Sequence, residues 1–131
     1  MEKPCVLVVD DNKTNRDLYM DLLEMTPFGG IALDDGMRAV EMVHKYRPGL
    51  VLMDINLPGR SGMDVASDII TALGDDAPPI LALTASALPD LIERLQAHGF
   101  AGLVSKPCGV STFLEAVSWG MKGTSTDFKL F

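Results

Sequence analysis

The sequence predicts an α/β fold, a doubly wound parallel sheet with helices on both faces. Strand-like and helix-like segments alternate five times along the 131 residues, as expected for such a sheet. The strand-like segments are short and apolar throughout, which is typical of parallel strands buried on both faces. No repeat or domain linker interrupts the alternation, and the chain is long enough for one domain with a single core.

The five predicted strands are runs of aliphatic residues bounded by residues that favour turns. The second run has the weakest signal because it is the shortest. In chain order, the predicted strands are residues 5–9, 31–33, 50–53, 80–83 and 102–105.

The five predicted helices carry apolar residues three or four positions apart, so that each helix has one apolar face. Gly29-Gly30 is expected to stop the first helix. Pro89 fits the first turn of the fourth helix, and Gly99 closes it. In chain order, the apolar faces comprise Leu18, Leu22, Leu23 and Met25; Val40 and Val43; Met63, Ala66, Ile69, Ile70 and Leu73; Leu91, Ile92 and Leu95; and Val110, Phe113, Leu114 and Val117.

Composition excludes several classes of partner and location. A net charge of −7 argues against a nucleic-acid-binding surface, which needs a basic stripe. No stretch approaches the roughly 20 apolar residues that span a bilayer, and the first apolar run is too short for a signal peptide. Cys5 and Cys108 form neither a disulfide framework nor a metal-ligand spacing. We therefore expect a cytoplasmic protein with neither nucleic acid nor membrane as a partner.

Polar residues follow four of the five predicted strands. Asp10 and Asp11 follow the first strand, Asp54 the third, Thr84 the fourth and Lys106 the fifth. Because the carboxyl ends of parallel strands share one edge, where ligands bind, these side chains should converge. Two like charges about 4 Å apart repel by roughly 4 kcal/mol at an effective dielectric near 20, so three carboxylates need a compensating cation. Such oxygen ligands suit Mg²⁺, and an ammonium group suits a phosphoryl oxygen.

Each of these residues also has a simpler explanation. Asp10-Asp11-Asn12 has the composition of a helix N-cap, and Asp54 is acceptable as a turn residue after a strand. Thr84 and Lys106, taken singly, are compatible with structural or solvated roles. The joint arrangement favours a site, because four coincidences at one sheet edge would otherwise be needed.

Four segments make the sequence resemble the receiver domains of response regulators in two-component signalling: VLVVDDN, LVLMDINLPGRSG, ILALTAS and VSKP. The resemblance spans residues 4–120. It implies a flavodoxin-like (βα)5 sheet with strand order 2-1-3-4-5. The receiver domain is expected at residues 1–121. Residues 122–131 lose periodicity and are interpreted as a C-terminal tail that is flexible, a linker stub or a docking segment.

By this resemblance, Asp54 is the phosphoacceptor and receives the phosphoryl group from the phosphohistidine of a histidine kinase or histidine phosphotransfer protein. The implied cofactor is Mg²⁺, bound by Asp11, Asp54 and the backbone carbonyl of Asn56, with Asp10 acting through water. The implied protein is a signalling receiver that promotes its own phosphorylation and dephosphorylation, rather than an enzyme. It would act on a downstream protein that the sequence does not name.

The resemblance also assigns the remaining pocket residues. Lys106 would pair first with Asp54 and then with its phosphoryl group, and the Lys106–Pro107 peptide bond would be cis. The Thr84 hydroxyl and the Ala85 amide would contact phosphoryl oxygens. The chemistry requires no histidine in the pocket, and both histidines are expected at the surface.

One position departs from the family pattern. Receivers often carry Tyr or Phe three residues before the lysine, where this chain has Leu103. We therefore expect the usual coupling between Thr84 and an aromatic side chain to be altered, because a leucine can repack but has no hydroxyl group. Phosphorylation is expected mainly to reshape residues 85–89.

The stretch DNKTNRDL resembles receivers attached to hybrid histidine kinases and single-domain relay regulators. In such proteins the start of the first helix meets the partner. This makes Asn15 and Leu18 candidate contacts, together with Pro58, Pro107 and Cys108. The alternative is that Leu18 belongs to the core.

Two other functions compete with a phosphoacceptor switch. A pseudo-receiver would dock partners without phosphorylation, and the complete acidic pocket argues against it. A phosphatase of the haloacid dehalogenase type also uses an aspartyl nucleophile, but it usually has a second aspartate where this chain has Asn56. Flavin binding rests on fold analogy alone.

Overall fold

The computed structural model describes residues 4–85, 87–106, 108–122 and 127–131. Within these residues, six parallel strands form one sheet in the order β2-β1-β3-β4-β5-β6. The predicted five-strand order 2-1-3-4-5 is confirmed. The strands are β1 (Cys5–Val9), β2 (Gly29–Leu33), β3 (Leu50–Asp54), β4 (Ile80–Thr84), β5 (Gly102–Ser105) and β6 (Lys129–Leu130).

Helices connect the first five strands, and a 3₁₀ turn at Gly74–Asp76 follows the third helix. The helices are α1 (Lys13–Leu23), α2 (Ala39–Tyr46), α3 (Gly62–Leu73), α4 (Pro89–Ala97) and α5 (Val110–Lys122).

The sheet separates two hydrophobic clusters. One contains side chains of α2, α3 and α4, and the other contains side chains of α1 and α5. Alternate residues of the central strands serve opposite clusters, so neighbours such as Leu52 and Met53 are both buried. Burial on both faces explains why these strands are apolar at every position until the last one.

The register aligns the carboxyl ends of the strands. Asp54 pairs with Leu83, and Thr84 pairs with Ser105. β3 and β4 each extend one residue beyond the predicted ends, so Asp54 and Thr84 are the last residues of their strands. Their positions are therefore determined by the sheet rather than by a loop.

The buried face of α1 differs from the predicted one. Tyr19, Leu22 and Leu23 are buried, whereas Leu18 is 47% exposed and Met25 lies beyond the helix. Placing Leu18 and Met25 on the core face is wrong, because the rings of Tyr19 and Phe113 (5.2 Å between centroids) pack α1 against α5. Both sets of α1 residues have helical spacing, so the spacing alone did not distinguish them.

Two further segments differ from the predictions. Gly29-Gly30 does not simply stop the first helix, because both glycines belong to β2. The aperiodic tail was not predicted to contain a strand, but Lys129–Leu130 pairs with β5. The domain boundary at residue 121 stays a prediction, and residues 127–131 pack against the domain.

Among the described residues, no helix combines the length and the apolar character needed to cross a membrane.

Gly62, the first residue of α3, lies against the backbone at the end of β3. A Cβ atom at this position would overlap the carbonyl oxygen of Asp54. We expect Gly62→Ala to lower the free energy of unfolding by about 1–3 kcal/mol, because the backbone of Asp54 has to move. Urea denaturation measures the change.

Gly109 provides the matched control. A Cβ there meets no atom within 4 Å, so Gly109→Ala is expected to change stability by less than about 0.5 kcal/mol. Equal effects of the two substitutions would contradict the close contact between α3 and Asp54.

Candidate functional site

The carboxyl edge of the sheet contains three buried polar side chains. Asp10 is fully buried, and Asp54 and Thr84 are each 4% exposed. Among the described residues, these three are the polar or charged residues that are almost completely buried. Burying such groups is unfavourable unless hydrogen bonds or opposite charges compensate. The compensating partners therefore reveal how the site is built.

Lys106 joins two of the predicted carboxylates. Its Nζ lies 3.1 Å from Oδ2 of Asp10 and 3.1 Å from Oδ2 of Asp54. Burial lowers the pKa of Lys106, but the hydrogen bond to Asp10 and the charges of Asp54 and Asp10 outweigh this effect and raise it. The ammonium group therefore stays charged at neutral pH and offsets part of the negative charge.

Asp54 is held through both carboxylate oxygens. The backbone N–H of Asn56 donates to Oδ1 at 2.9 Å, and Lys106 donates to Oδ2. Burial raises the pKa of Asp54, and the hydrogen bond from Asn56 and the charge of Lys106 only partly counteract it. A second cation near this carboxylate would therefore favour its charged form.

Asp10 has its own set of partners. Its Oδ1 accepts a hydrogen bond from the Asn12 N–H at 2.9 Å, and its Oδ2 accepts from the Asn15 side chain at 3.4 Å. Its backbone carbonyl accepts from the Arg16 guanidinium at 2.9 Å. These contacts orient Asp10 toward Lys106, and sequence reasoning had not identified Arg16.

The helix-capping alternative applies to Asn12 rather than to the two aspartates. Asn12 is the N-cap of α1, and its side chain accepts a hydrogen bond from the Asn15 N–H at 3.0 Å. One residue therefore accounts for the cap, and Asp10 and Asp11 are available for another purpose.

The three predicted acidic residues lie close enough to share a metal ion. One carboxylate oxygen from each of Asp10, Asp11 and Asp54 lies within 4.8 Å of the others. Asp11 is exposed and the other two are buried, so the cluster opens to solvent on one side. The donor set fits Mg²⁺, which prefers hard oxygen ligands and usually keeps several waters. The carbonyl of Asn56 stays a predicted ligand.

The ends of β4 and β5 are also connected. The backbone N–H of Lys106 donates to the carbonyl of Thr84 at 2.8 Å. Ala85, the next residue after Thr84, is exposed. This hydrogen bond places Thr84, Ala85 and Lys106 at one corner of the site.

Next to this corner is a cavity of about 270 Å³. Burial raises the pKa of the Tyr19 phenol and of the Cys108 thiol, so both stay neutral at physiological pH. Tyr19 was not predicted, although it has helical spacing with Leu22 and Leu23. The cavity is lined by Asn15, Leu18, Tyr19, Ala85, Lys106 and Cys108.

Other predicted residues lie outside this group. Pro58 is exposed in the loop after β3. His44 lies in α2 and is exposed, and His98 follows α4 with its ring 2.8 Å from the Arg94 carbonyl. The predicted cis peptide bond at Pro107 falls outside the described residues.

The acidic edge, bridged by a lysine on a flavodoxin-like sheet, is the arrangement of a receiver-type signalling domain. Residues 6–118 match the sequence profile of the response regulator receiver domain. The chain therefore belongs to the response-regulator receiver family, whose members are signalling proteins of two-component systems.

Similar proteins agree with this assignment. The polar-differentiation response regulator DivK of Brucella anthropi is 35% identical over 116 residues, which cover 86% of this chain and 91% of that protein. The chemotaxis protein CheY4 of Vibrio cholerae superimposes with a TM-score of 0.85 at 24% identity, covering 91% of this chain and 99% of that one.

A LuxR-family two-component response regulator from Aurantimonas sp. SI85-9A1 superimposes with a TM-score of 0.84 at 23% identity. The superposition covers 99% of this chain and 90% of the Aurantimonas chain. At these identities the two solved structures show the fold alone.

Lys106→Ala is expected to destabilise the protein by about 2–4 kcal/mol at pH 7. The substitution leaves the carboxylates of Asp10 and Asp54 buried without their shared cation. Adding Asp54→Asn to Lys106→Ala should restore part of the loss, because one buried charge is removed. Urea denaturation of both variants at pH 7 measures the effect.

Lys13 offers a matched control, since its ion pair with Asp17 is exposed. Lys13→Ala should change stability by less than about 1 kcal/mol. Similar losses for Lys13→Ala and Lys106→Ala would show that Lys106 does not offset buried charge.

Proposed function

We propose that this chain is a phosphoacceptor switch of a two-component phosphorelay. In this proposal Asp54 accepts a phosphoryl group from the phosphohistidine of a histidine kinase or histidine phosphotransfer protein, with Mg²⁺ as cofactor. The observation that carries the proposal is that Lys106 bridges Asp10 and Asp54, whose carboxylates form one acidic cluster with that of Asp11. Family membership supports it, whereas the fold alone would not.

Asp54 is suited to act as the nucleophile. A carboxylate oxygen forms a bond to phosphorus while the phosphorus–nitrogen bond to the partner imidazole breaks. The electron pair stays on the imidazole nitrogen, which takes a proton from solvent. Carboxylates are competent nucleophiles for such covalent steps, and the hydrogen bond from the Asn56 N–H orients this one.

The remaining residues supply charge and position, which phosphoryl transfer needs more than acid–base groups. Lys106 already contacts Asp54, so in the proposal it donates to the new phosphoryl oxygens after transfer. Thr84 and Ala85 contact the same oxygens from the end of β4. Mg²⁺, held by Asp11, Asp54 and the Asn56 carbonyl with Asp10 through water, would offset the phosphoryl charge.

Dephosphorylation is the matching hydrolysis at the same site. A water oxygen bonds to phosphorus, the bond between phosphorus and the Asp54 oxygen breaks, and the carboxylate is restored. Inorganic phosphate leaves and carries the protons of the water. Asn56 is exposed beside the acceptor and has a short side chain, which leaves room for water. The chain thus promotes its own phosphorylation and dephosphorylation and does not turn over a separate substrate.

The cavity beside Lys106 is the proposed contact site for the histidine-bearing partner. Leu18 lines this cavity and is 47% exposed, so its apolar side chain is accessible to a partner. Asn15 and Cys108 line the same cavity, and Pro58 is exposed. A cytoplasmic location is part of the proposal, and the presence of both cysteines as thiols is compatible with it.

Incubation with acetyl phosphate and Mg²⁺ is expected to add one phosphoryl group to the chain, detected by mass spectrometry of the intact protein. Asp54→Asn should abolish the adduct, because its amide is a poor nucleophile. Chelation of Mg²⁺ should abolish it as well, because the phosphoryl charge is no longer offset.

Asp64→Asn is the matched control, because Asp64 is exposed in the first turn of α3, and this variant should be phosphorylated normally. Absence of an adduct in the unaltered chain would favour a pseudo-receiver, and an adduct that persists in Asp54→Asn would show that another residue accepts the phosphoryl group.

Leu18→Asp is expected to slow phosphoryl transfer from a cognate phosphohistidine protein by about tenfold or more, as for an apolar interface anchor. Transfer from acetyl phosphate should be unchanged, because the small donor needs no protein contact. Rates with the two donors separate docking from chemistry.

Met25→Asp is the control, since Met25 is exposed just beyond the opposite end of α1, and it should leave both rates unchanged. Equal slowing with both donors in Leu18→Asp would place Leu18 in the chemistry or the fold instead of the partner interface.

A further inference from the structure

Residues 127–131 lie along the outer edge of β5, and we call them the edge segment. Its backbone is paired in parallel with β5, with Lys129 opposite Gly102 and Leu130 opposite Leu103. Four residues, Gly123 to Thr126, connect it in sequence to α5. The segment is therefore a short extended peptide on the side of β5 away from the rest of the sheet.

Backbone hydrogen bonds define how the edge segment is held. The N–H of Lys129 donates to the Ala101 carbonyl at 3.1 Å, and the N–H of Phe131 donates to the Leu103 carbonyl at 2.8 Å. The N–H of Ser105 donates to the Phe131 carbonyl at 3.3 Å. In a strand, the backbone N–H groups of alternate residues point to the same neighbouring strand. Since the N–H groups of Lys129 and Phe131 point to β5, the N–H of Leu130 points to the opposite side, away from the sheet.

Two aromatic side chains anchor the edge segment on opposite faces of the sheet. Phe128 packs against the cluster that includes Leu103, and Phe131 packs against the cluster of α1 and α5. The Phe131 ring meets Trp119 edge-on, 5.5 Å between centroids. Leu130, between them, is 55% exposed. The segment is thus anchored at the β5 edge by two aromatic residues that are three positions apart in the sequence.

The β5 edge is shaped for a closely approaching backbone. A Cβ atom at Gly102 would overlap the Lys129 carbonyl oxygen, so the glycine leaves the space that the incoming strand uses. An uncovered β5 would expose unpaired N–H and C=O groups, the usual template for addition of another strand.

We propose that the β5 edge is a docking site for an extended peptide with an aromatic-x-x-aromatic pattern, and that the edge segment is its intramolecular ligand. A ligand tethered by four residues competes at a millimolar effective concentration, so a peptide in trans gains access mainly when the tether is cut or the segment is displaced. The proposal is independent of phosphorylation at Asp54.

The experiment uses the full chain with a protease site inserted between residues 122 and 127. After folding, cleavage and dialysis, a fluorescent peptide of sequence Asp-Phe-Lys-Leu-Phe is titrated into cut and uncut protein. We expect saturable binding to the cut protein, at least tenfold tighter than to the uncut protein. Trp119, the one tryptophan of the chain, reports undocking through a red shift that the peptide reverses.

N-methylated peptides provide the matched controls. Methylation at the Phe131 position blocks the donor to Leu103 and should weaken binding at least tenfold. A methyl group on the nitrogen at the Leu130 position points away from β5, so it should change binding less than twofold. Equal effects of the two methyl groups would overturn the proposal, because general apolar adhesion would explain the binding.

Two further results would overturn the proposal. One is that the peptide does not bind to the cut protein, and the other is that excess peptide fails to displace the cleaved edge segment. If cleavage unfolds the domain, the uncut Phe131→Ala variant decides. The docking proposal expects a red shift of Trp119 emission with the main unfolding transition retained. Loss of that transition, as expected for Phe113→Ala in the core, would make the edge segment part of the fold.

Discussion

The site depends on one electrostatic constraint: two buried carboxylates share one half-buried ammonium group. Asp10 and Asp54 each place Oδ2 3.1 Å from the Lys106 Nζ, and Asp11 adds a third negative charge at the exposed side. One cation cannot balance three carboxylates. Burial and the nearby charge of Asp10 raise the pKa of Asp54, and the hydrogen bond from Asn56 and the charge of Lys106 counteract this only in part. A divalent cation would offset this residual negative charge, and the proposed phosphoryl transfer depends on such a cation.

The sheet maintains this unfavourable arrangement. Asp54 and Thr84 end strands whose remaining residues are buried on both faces, so large apolar contacts hold their backbones in place. Hydrogen bonds from the Asn56 N–H to Asp54 and from the Lys106 N–H to Thr84 connect the loops to the strand ends. The stability of the core thus offsets the cost of the charged edge.

The same architecture connects the site to the outer edge of the sheet. Ser105, the residue before Lys106, donates its backbone N–H to the Phe131 carbonyl. The edge segment therefore contacts the strand that ends next to the lysine. Leu103, at the position where receivers often carry an aromatic residue, is 1% exposed and faces the cluster that also receives Phe128. In this chain Phe128 packs against the cluster that contains Leu103, and Phe131 packs against the cluster that contains Val104 and meets Trp119 edge-on.

The sequence by itself determined the strand order through its family resemblance, most strand positions and the five residues at the carboxyl edge. This was possible because buried parallel strands are apolar and ligand-binding residues follow them directly. Tertiary structure decided which face of α1 is buried, because Leu18 and Tyr19 both have helical spacing and only packing against Phe113 selects Tyr19. It also decided the sixth strand, because a two-residue strand has no periodicity and exists through its hydrogen bonds to β5. Local pattern thus specified the elements, and contacts between distant residues specified their orientation and the last pairing.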